Sequence, residues 1–584
     1  MDFRTLAEAY GRIEKTTKRT EMTRYLVDLV ASSPPEDLAK VVYLTQGKLY
    51  PDFVGIEIGI AEKTAVRSVA LATGLSEEEI ARDLRKTGDL GLTAELELEK
   101  VGRREKRALA VGEVWSSLDE IARTSGPGSA EKKVSSLASL LANATPEEAK
   151  YIVRIVTGRL RLGVADMTIL DALALAYGGG IEARPPIERA YNMTSDLGEI
   201  AIALATRGLP AIEEFHVELG KPIRPMLAER VHDPEELVDK LGKEFVAEYK
   251  YDGERVQIHK NGKKVTLFSR RLENITSQYP DVASVARDSV AATTAVLEAE
   301  IVAMDPETGV MRPFQELMRR RRKYGVAEAA KETPASIFFF DCLFADGRDY
   351  MGEPYPVRRE ALGRAVRLGG AVNLSQNKII RSAGELESFF EKAVQEGCEG
   401  IVAKSTGPDS IYRAGARGWL WIKYKREYRS EMTDTVDLVA VGAYYGRGRR
   451  AGVYGSLLMA CYDKESDSFK TVTRLGAGFT DKDLAELPEK LGNYVIEHKH
   501  PRVDAKEKPD VWFEPGLVLE IIGAEITLSP IHTCAFNRIR EASGLAIRFP
   551  RFTGRYRYDK SPEDATTEDE IVEMYQSRLR KVVA

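Results

Sequence analysis

The hydrophobic periodicity of this chain changes near residue 220, and this change limits the possible folds more than any other feature. From Thr5 to about Val217, apolar residues recur at helical spacing, as in the run SSLASLLANATPEEAKYIVRIV. Pro222 and Pro225 then interrupt the helical pattern, and beyond Glu244 the period becomes two, which is typical of strands. The sequence therefore predicts an all-α domain over residues 1–220.

The remainder of the chain divides again at about residue 430. Up to that point strand-like segments alternate with helical stretches such as 382–396, so residues 221–430 are predicted to form an α+β domain. Beyond it, short apolar segments rich in glycine fit a small β-barrel over residues 431–584, which ends in a helix with the sequence TTEDEIVEMYQSRLRKV. The predicted fold class is thus multidomain, with a helical, an α+β and a β-barrel part.

Charge and cysteine usage exclude several classes of protein. The 584 residues carry a formal net charge of -5 with 30% charged residues, which excludes a purely electrostatic nucleic-acid coat. The four cysteines lie more than fifty residues apart, a spacing that excludes a zinc ribbon and disfavours disulfides. The most apolar stretch, 337–343, is short and contains Asp341, and no apolar leader is visible, so we expect an intracellular, soluble protein in the cytoplasm, associated with the nucleoid if prokaryotic.

A lysine at the end of a predicted strand is the first candidate for chemistry. Alternation over residues 245–250 places Val246, Glu248 and Lys250 on one face, so the lysine shares its face with a carboxylate. The next residues are Tyr-Asp-Gly, and this glycine permits a tight turn and a close approach of the backbone. A lone K-x-D-G string is also common in exposed turns, so the string by itself decides nothing.

A β-hairpin is predicted next, with Asn261 and Gly262 as its two-residue turn. The turn fixes the register, which pairs Lys260 with Lys263, Ile258 with Val265, Val256 with Leu267, and Arg255 with Phe268. The aliphatic residues then form an apolar face, while Arg255 and Arg270 lie together on the opposite face. Two guanidiniums near a lysine indicate a site for a polyanion.

Six short motifs then decide the interpretation. They are KYDGER at 250–255, SR at 269–270, EAEIV at 298–302, FFFD at 338–341, EGIVAK at 399–404 and WIKYK at 421–425. In this order they resemble the nucleotidyltransferase motifs shared by DNA ligases, RNA ligases and mRNA capping enzymes. The helical first third, with GRLRLGVADM at 158–167, and the string RYDK at 557–560 resemble the archaeal and eukaryotic replicative class of ATP-dependent DNA ligases, so the likeness covers nearly the whole chain.

The resemblance implies a helical DNA-binding domain, an adenylation domain and a C-terminal OB-fold in the three predicted regions. It also implies an enzyme that uses ATP and a divalent metal, Mg²⁺, to seal nicks between a 5′ phosphate and a 3′ hydroxyl in duplex DNA. AMP is carried on a lysine in such enzymes, which act in DNA replication, repair and recombination and during cell division.

Within this resemblance Lys250 is the nucleophile. Attack on phosphorus needs an unprotonated amine, and an ordinary lysine is mostly charged at neutral pH, so its pKa must be lowered. The alternation of WIKYK puts Lys423 and Lys425 on one face of a strand, and the resemblance places them beside the α-phosphate. We expect Lys423 to stabilise the pentavalent phosphate with support from Lys425; the alternative is a solvated edge strand.

The resemblance also supplies the nucleotide contacts. It makes Glu248 the acceptor for the adenine amine, Phe340 the ring that stacks on adenine, and Glu300 the partner of a ribose hydroxyl. It assigns Arg255 and Arg270 to the phosphates, and Arg417, in a glycine-flanked loop, to a further nucleotide contact. Each assignment has a plainer alternative: an ion pair with Lys250 or a neighbour for Glu248, a core position for Phe340, and a surface loop for Arg417.

Carboxylates are the natural ligands for Mg²⁺, and Glu399 is the leading candidate, with Glu300 as a second. Asp341 is a weaker candidate that could instead cap a strand. Arg557, Asp559 and Lys560 match the motif that contacts the pyrophosphate leaving group in the family, which implies a barrel that swings onto ATP and away for DNA. The alternative for these three residues is a charged turn before the terminal helix.

Contacts with nicked DNA should be directed mostly at the backbone, because a ligase must accept any sequence. The basic residues expected to bind phosphate in the helical region, beside Gly158 and Gly163, are Lys132, Lys133, Arg154, Arg159 and Arg161. The run Arg319 to Lys323 is either a DNA-facing loop or a solvated helix face. A sliding-clamp partner is an expectation from the resemblance alone, since no clear clamp-binding string is present, and a monomer is expected.

Three other classes of protein are alternatives to this interpretation. An RNA ligase or capping-type nucleotidyltransferase shares the lysine-centred motifs, but the large helical third speaks against it. An NAD-dependent DNA ligase would carry a four-cysteine zinc module, which the cysteine spacing excludes. A non-catalytic DNA-end-binding protein with a decayed active site would lack Lys250 or Lys423, and this chain retains both.

Overall fold

The computed structural model describes residues 1–102, 109–231, 233–242, 244–305, 308–320, 325–425, 435–446 and 452–583. These residues form two compact units. The first comprises Met1–Glu77 and Ala94–Lys425; the second comprises Glu78–Thr93 and the described residues from 435 onward. Within the described part of the chain, no helix combines the length and the apolar character that crossing a bilayer requires.

The first 210 residues are helical, as predicted. The helices are α1 (Phe3–Glu14), α2 (Arg19–Ser32), α3 (Pro35–Thr45), α4 (Glu62–Thr73), α5 (Glu77–Thr87), α6 (Leu90–Lys100), α7 (Val111–Arg123), α8 (Ser129–Asn143), α9 (Pro146–Val156), α10 (Asp166–Tyr177), α11 (Arg184–Thr194) and α12 (Leu197–Arg207). The predicted cap at the start of α9 is confirmed: the Thr145 hydroxyl accepts from the backbone N–H of Glu148, and the Glu148 carboxylate accepts from that of Thr145.

The middle region mixes helices and strands. Its helices are α13 (Pro234–Leu241), α14 (Pro280–Ser289), α15 (Phe314–Leu317), α16 (Val326–Glu332), α17 (Tyr355–Ala365) and α18 (Ala383–Gln395). Its strands are β1 (Leu227–Arg230), β2 (Phe245–Lys250), β3 (Glu254–Asn261), β4 (Lys264–Ser269), β5 (Thr294–Ala303), β6 (Ala335–Ala345), β7 (Arg348–Asp349), β8 (Val372–Leu374), β9 (Asn377–Ile380), β10 (Gly400–Lys404) and β11 (Arg417–Lys425).

These strands form two sheets. The first has the order β1-β11-β10-β2-β9, and the second has the order β4-β3-β5-β6-β7 with β8 beside β6. One face of the first sheet is covered by α18, whose Phe389 and Phe390 pack in a core with Ala247, Ile401 and Ile422. Because side chains alternate along a strand, Glu248 and Lys250 lie on the opposite face, away from α18.

The predicted register of the β3–β4 hairpin is wrong. Asn261 pairs with Lys264, so Gly262 and Lys263 form the turn instead of Asn261 and Gly262. Gly262 has a φ of +58°, and glycine at the first central position suits a type II′ turn, which leaves Asn261 in the strand. The shift preserves the alternation, so Val256 and the other predicted aliphatic residues still face the core.

The C-terminal region is β-rich and ends in a helix, as predicted. Its strands are β12 (Val436–Tyr445), β13 (Tyr454–Asp463), β14 (Ser468–Leu475), β15 (Val495–Ile496), β16 (Val503–Asp504), β17 (Val511–Phe513), β18 (Val518–Ile522), β19 (Glu525–Ser529), β20 (Gly544–Arg548) and β21 (Arg551–Tyr556). Its helices are α19 (Asp481–Gly492) and α20 (Glu568–Val583). The sheet order is β15-β17-β12-β13-β14-β16, with β18 joining β12 to β21, while β19 and β20 pair separately.

Candidate active site

Strand β10 aligns the predicted lysines on the face of the first sheet that points away from α18. Gly400 is directly opposite Lys250 of β2 and also directly opposite Lys425 of β11. Val402 stands in the same way between Glu248 and Lys423. Directly paired residues of neighbouring strands project from the same face, so these side chains share one surface. The prediction that Lys423 and Lys425 lie on one face of a strand is confirmed.

Gly400 cannot be replaced by a larger residue without a rearrangement. Its φ is +148°, and a Cβ at this position would lie 2.2 Å from the carbonyl oxygen of Tyr424. The row between the two lysines therefore has no side chain at its centre. Glu399, immediately before it, occupies the space: its backbone N–H donates to the Lys250 carbonyl oxygen at 2.9 Å.

The Glu399 carboxylate binds two of the lysines. Its Oε2 lies 2.5 Å from Nζ of Lys250 and 2.9 Å from Nζ of Lys425. Burial raises the pKa of this carboxyl, but the two ammoniums outweigh that effect and hold the pKa of Glu399 below its ordinary value. The carboxylate is thus charged at neutral pH and sits at the centre of a cationic cluster.

Lys423 lies in the most cationic part of the site. Partial burial, and then the charges of Arg417, Lys425, Lys250 and Arg270, lower the pKa of Lys423 below its ordinary value. Four basic residues therefore act on Lys423. Such a concentration of positive charge on one face suits an anion with several charges, such as a polyphosphate.

Two further carboxyl groups face this cluster. Burial raises the pKa of the Glu300 carboxyl to about 7, against the opposing charges of Lys250 and Arg255. Burial also raises the pKa of Asp252, which accepts from the backbone N–H of Phe314 at 3.1 Å. Among the residues that the structure describes, no three His, Cys, Asp or Glu side chains are close enough to form a preformed metal cage.

Glu248 lies in a buried pocket beside the lysines. Its Oε2 is 2.9 Å from Nζ of Lys404, and its Oε1 accepts a hydrogen bond from the hydroxyl of Tyr355. The ion-pair alternative for Glu248 therefore holds with Lys404, not with Lys250. Phe340 is half-buried in the same pocket, with Nζ of Lys404 5.1 Å from its ring centre and the ring of Trp421 6.3 Å away.

The two arginines assigned to phosphates differ in their surroundings. Arg255 lies beside the rings of Phe340 and Trp421, and its terminal nitrogens donate to Glu298 at 2.7 Å and to the carbonyl oxygen of Met226 at 2.8 Å. Arg270 follows the end of β4 and is exposed. The observed register, continued by one position, sets it opposite Arg255.

Two expectations for the middle region need correction. Arg417 is not in a loop: it is the exposed first residue of β11, paired with Leu227 of β1, because the β1 edge extends the sheet to that point. Asp341 caps no strand: its carboxylate forms an ion pair with Arg358, Oδ1 to Nε at 2.8 Å, and both side chains are fully buried. The Asp341 carboxylate is therefore committed to Arg358, away from any metal.

The C-terminal motif surrounds one aspartate. Nη1 of Arg557 and Nζ of Lys560 each lie 2.7 Å from Oδ2 of Asp437. Asp559 binds the other side of the Arg557 guanidinium at 2.8 Å. The three predicted residues are therefore brought together, and Asp437, more than a hundred residues earlier in the chain, is the shared partner of Arg557 and Lys560.

The basic residues predicted to bind DNA are not equivalent. The prediction is wrong for Arg154, which is buried and lies 2.8 Å from Glu14 of α1. Lys132 is exposed with a distant carboxylate at 3.7 Å, Arg159 is exposed and paired with Glu62, and Lys133 and Arg161 are half-buried. Gly158 and Gly163 both adopt positive φ, which supports a tight loop beside them.

The basic run at 319–323 is described only at its first two residues; 321–323 lie outside the described part of the chain. Arg320 is fully buried, where it pairs with Asp281 and lies over the ring of Tyr279. Neither a DNA-facing loop nor a solvated helix face describes this residue, because helix α14 and its ion pair enclose it.

Several residues of the site went unrecognised at the sequence level. Lys404 stood inside a quoted motif without a role, and Tyr355, Glu298, Tyr412 and Asp252 were not singled out. Lys404, Asp252 and Glu298 could have been found from the motifs, since all three lie within them. The others come from distant parts of the chain and require the folded structure.

Known proteins resemble this chain over its whole length. Residues 2–174 match the family described as DNA ligase N terminus, 225–425 the ATP dependent DNA ligase domain, and 450–560 the ATP dependent DNA ligase C terminal region. DNA ligase 2 of Thermofilum pendens is 55% identical, with 99% of this chain and 98% of that protein covered. The DNA ligase of Staphylothermus marinus is 52% identical with both chains fully covered, and that of Sulfolobus acidocaldarius is 50% identical with coverage of 100% and 99%.

A solved structure, Pmar-Lig_PreS3, has the same overall fold. It is 16% identical, covers 94% of this chain and 99% of its own, and has a TM-score of 0.54. Identity of about one half over the full length, together with the three matching regions, identifies the family on sequence as well as on fold. The chain belongs to the family of ATP-dependent DNA ligases.

Proposed function

We propose that Lys250 is the nucleophile that carries AMP in this ATP-dependent DNA ligase. The observation that supports this role is the row of Lys250, Gly400 and Lys425 on one sheet face, with Glu399 between the two ammoniums. A nucleophilic lysine needs neighbouring cations to lower its pKa and a binding site for the phosphates that it attacks. The second requirement is met beside Lys250, where the charges of Arg417, Lys425 and Arg270 act together with Lys423 and suit the phosphates of ATP.

The proposed reaction consists of three in-line displacements at phosphorus. The unprotonated amine of Lys250 attacks the α-phosphate of ATP, a P–N bond forms, and pyrophosphate leaves. A 5′ phosphate oxygen at the nick then attacks the lysyl-AMP, which forms a phosphoanhydride and returns the lysine amine. Finally the 3′ hydroxyl loses its proton and attacks that 5′ phosphate, which closes the phosphodiester and releases AMP.

Positioning and charge stabilisation supply most of the catalysis in such transfers. We assign Lys423 to the developing charge on the pentavalent phosphate, with Lys425 in support. Arg270 and Arg417 are exposed beside it and are assigned to the outer phosphates. Arg255 is held by protein oxygens at both terminal nitrogens, so its Nε–H, which has no partner within the described residues, is the group left for the nucleotide.

The base and sugar are assigned to the adjoining pocket. Phe340 offers a ring to stack on adenine, and Glu248 offers an acceptor for the exocyclic amine. Glu300 is assigned to a ribose hydroxyl. The half-buried Phe340 and the buried Glu248 share Lys404 as a neighbour, which supports their action on one base.

The fit of Mg²⁺ rests on the donor set of the site. Glu399 and Asp252 are hard oxygen ligands within interaction distance of each other, and with too few protein ligands for a cage the ion would take its remaining ligands from phosphate and water. We propose Glu399 as the principal ligand and Glu300 as a second. When bound, the ion neutralises charge on the transferred phosphate.

The remaining parts of the proposal rest on the family resemblance. They are a division into three domains at 1–220, 221–430 and 431–584, a C-terminal domain that brings Arg557, Asp559 and Lys560 to the pyrophosphate, and nicked DNA bound through Lys132, Arg159 and their neighbours. We also propose that the protein is a monomer in the cytoplasm and that a sliding clamp is its partner.

The test is transfer of label from α-labelled ATP in the presence of Mg²⁺. The wild type should take label onto protein and pass it to AMP as nicked DNA is sealed, whereas Lys250→Ala should take none. Lys263→Ala, at the exposed hairpin turn, is the matched control and should label normally. If the labelled enzyme seals nicked RNA and never nicked DNA, the proposed DNA substrate is wrong. If Lys250→Ala still takes label, the assignment of Lys250 as nucleophile is wrong.

A further inference from the structure

Three donor side chains surround the buried carboxylate of Glu248. Tyr355 donates its hydroxyl to Oε1, Nζ of Lys404 lies 2.9 Å from Oε2, and the Arg359 guanidinium lies 3.6 Å from Oε1. Only 2% of Glu248 and 1% of Lys404 is exposed, so water does not compete with these contacts. A buried carboxylate that accepts hydrogen bonds at both oxygens is held in one orientation.

The two main donors come from different elements and act on different oxygens. Tyr355 is the first residue of α17, and Lys404 is the last residue of β10. Each carboxylate oxygen can accept about two hydrogen bonds, so one donor on each leaves capacity for a further donor. Burial and the nearby Glu248 charge raise the pKa of Tyr355 well above its ordinary value, so its hydroxyl remains a donor.

The same lysine connects Glu248 to the aromatic side of the pocket. Nζ of Lys404 is 3.3 Å from the carbonyl oxygen of Phe340 and 5.1 Å from the centre of its ring. The distance between the Phe340 ring and the Glu248 carboxylate is therefore set by one fully buried side chain. A flat base against that ring would present its edge, rather than its face, to groups beside the ring.

We propose that Tyr355, together with Lys404, is a positioning residue that sets the base specificity of nucleotide transfer by fixing the Glu248 carboxylate as a hydrogen-bond acceptor. A fixed acceptor binds the 6-amino group of adenine and repels the 6-oxo group of hypoxanthine or guanine, whose lone pairs face it. This inference rests on the proposed role of Glu248 in reading the base. It adds residues that make no contact with the nucleotide in that scheme.

The hydroxyl of Tyr355 can be removed without disturbing the local fold. The backbone N–H of Tyr355 donates to the Ser410 hydroxyl at 3.0 Å, and its ring packs against Nζ of Lys404 at 4.8 Å. Both contacts remain in Tyr355→Phe. Tyr279→Phe is a matched control, because it also removes a buried hydroxyl that donates to a glutamate, Glu254 at 2.7 Å, on the core side of the second sheet.

The experiment compares adenylation with ATP against the same reaction with inosine triphosphate, which differs at position 6 of the base. Single-turnover labelling of the full-length protein is measured over a series of nucleotide concentrations. The half-saturating concentration is taken as KM and the maximal rate as kcat for each nucleotide. Wild type should prefer ATP, and Tyr355→Phe should raise KM for ATP by roughly tenfold with little change in kcat, because a hydrogen bond to a charged group has about that effect. KM for inosine triphosphate should change far less, and Lys404→Met should show the same pattern. Tyr279→Phe should match wild type.

The outcomes separate this inference from the proposed function beneath it. If wild type takes label from ATP and prefers it, but Tyr355→Phe and Lys404→Met keep that preference, the positioning role is wrong and the ligase mechanism stands. If Glu248→Gln also keeps the preference, Glu248 does not read the base and its proposed role falls as well. A uniform loss of kcat for both nucleotides in Tyr355→Phe would indicate a merely structural role and would likewise overturn the inference.

Discussion

Lys250 and Glu399 form an ion pair in which Nζ lies 2.5 Å from Oε2, and this pair joins the assigned nucleophile to the assigned metal ligand. Lys425 lies 2.9 Å from the same oxygen. One carboxylate oxygen therefore serves two ammoniums, and a divalent cation that binds Glu399 must share it with them. The affinity of the site for metal and the charge on Lys250 are thus coupled through Glu399.

Replacing Glu399 should weaken the response to metal. Glu399→Gln removes the charge that a divalent cation needs, so the Mg²⁺ concentration for half-maximal adenylation should rise by roughly tenfold or more. The measurement is the rate of lysyl-AMP formation against Mg²⁺ concentration at saturating ATP. Glu396→Gln, exposed just after α18, is the control. An unchanged Mg²⁺ dependence in Glu399→Gln would remove Glu399 from the metal site.

The faces of β2 and β11 could be predicted from the sequence, because alternation is a local property of a strand. The neighbour relation of Lys250 and Lys425 could not, since it depends on β10 lying between their strands. The same limit explains Tyr355, which is more than a hundred residues from Glu248 in the chain. The burial of Arg154 could not be predicted either, because a sequence does not distinguish a basic residue in a buried ion pair from one in solvent.

Asp341 should matter for stability and not for metal binding. Asp341→Asn leaves Arg358 charged in a site where both side chains are 0% exposed, and loss of one partner from such a buried pair lowers the free energy of unfolding by about 3–5 kcal/mol. Denaturant unfolding measures the change. Arg364→Ala, which breaks an exposed pair with Glu360 on the same helix, should stay within about 0.5 kcal/mol of wild type. A shifted Mg²⁺ dependence with wild-type stability in Asp341→Asn would contradict this assignment.

Lys560 should act on the first chemical step. Arg557 also binds Asp437 at 2.7 Å, so Lys560→Ala leaves that aspartate with a partner and the fold intact. Adenylation should slow by roughly a hundredfold if Lys560 contacts the leaving pyrophosphate, while sealing of a pre-adenylated nick should change far less. Both rates are measured on one preparation. Lys482→Ala, on the exposed face of α19, should alter neither, and equal losses in the two steps would contradict the pyrophosphate role.

His259 should make stability fall in mild acid. Its Nδ1 accepts from the backbone N–H of Gly220 at 3.1 Å, so the proton of the neutral ring lies on Nε2, which donates to Oε1 of Gln257 at 2.8 Å. Gln257 in turn binds both the N–H and the carbonyl oxygen of Ile223, at 2.7 and 3.0 Å. The network ties the segment that follows the helical region to strand β3, and it has no place for a second proton on the ring.

Burial lowers the pKa of His259 from 6.5 to about 3. Between these two values the unfolded chain binds the proton and the folded chain does not, so the contribution to stability is complete above pH 6.5 and is lost as the pH falls. At about pH 5 the loss should reach about 2 kcal/mol. The measurement is the free energy of unfolding of wild type and His259→Gln between about pH 5 and pH 8. The difference between the two proteins should shrink towards acid, whereas His498→Gln, at an exposed position, should parallel wild type throughout. Parallel curves for His259→Gln and wild type would mean that His259 binds its proton in the folded state, and that the hydrogen bond from Gly220 does not hold the ring neutral.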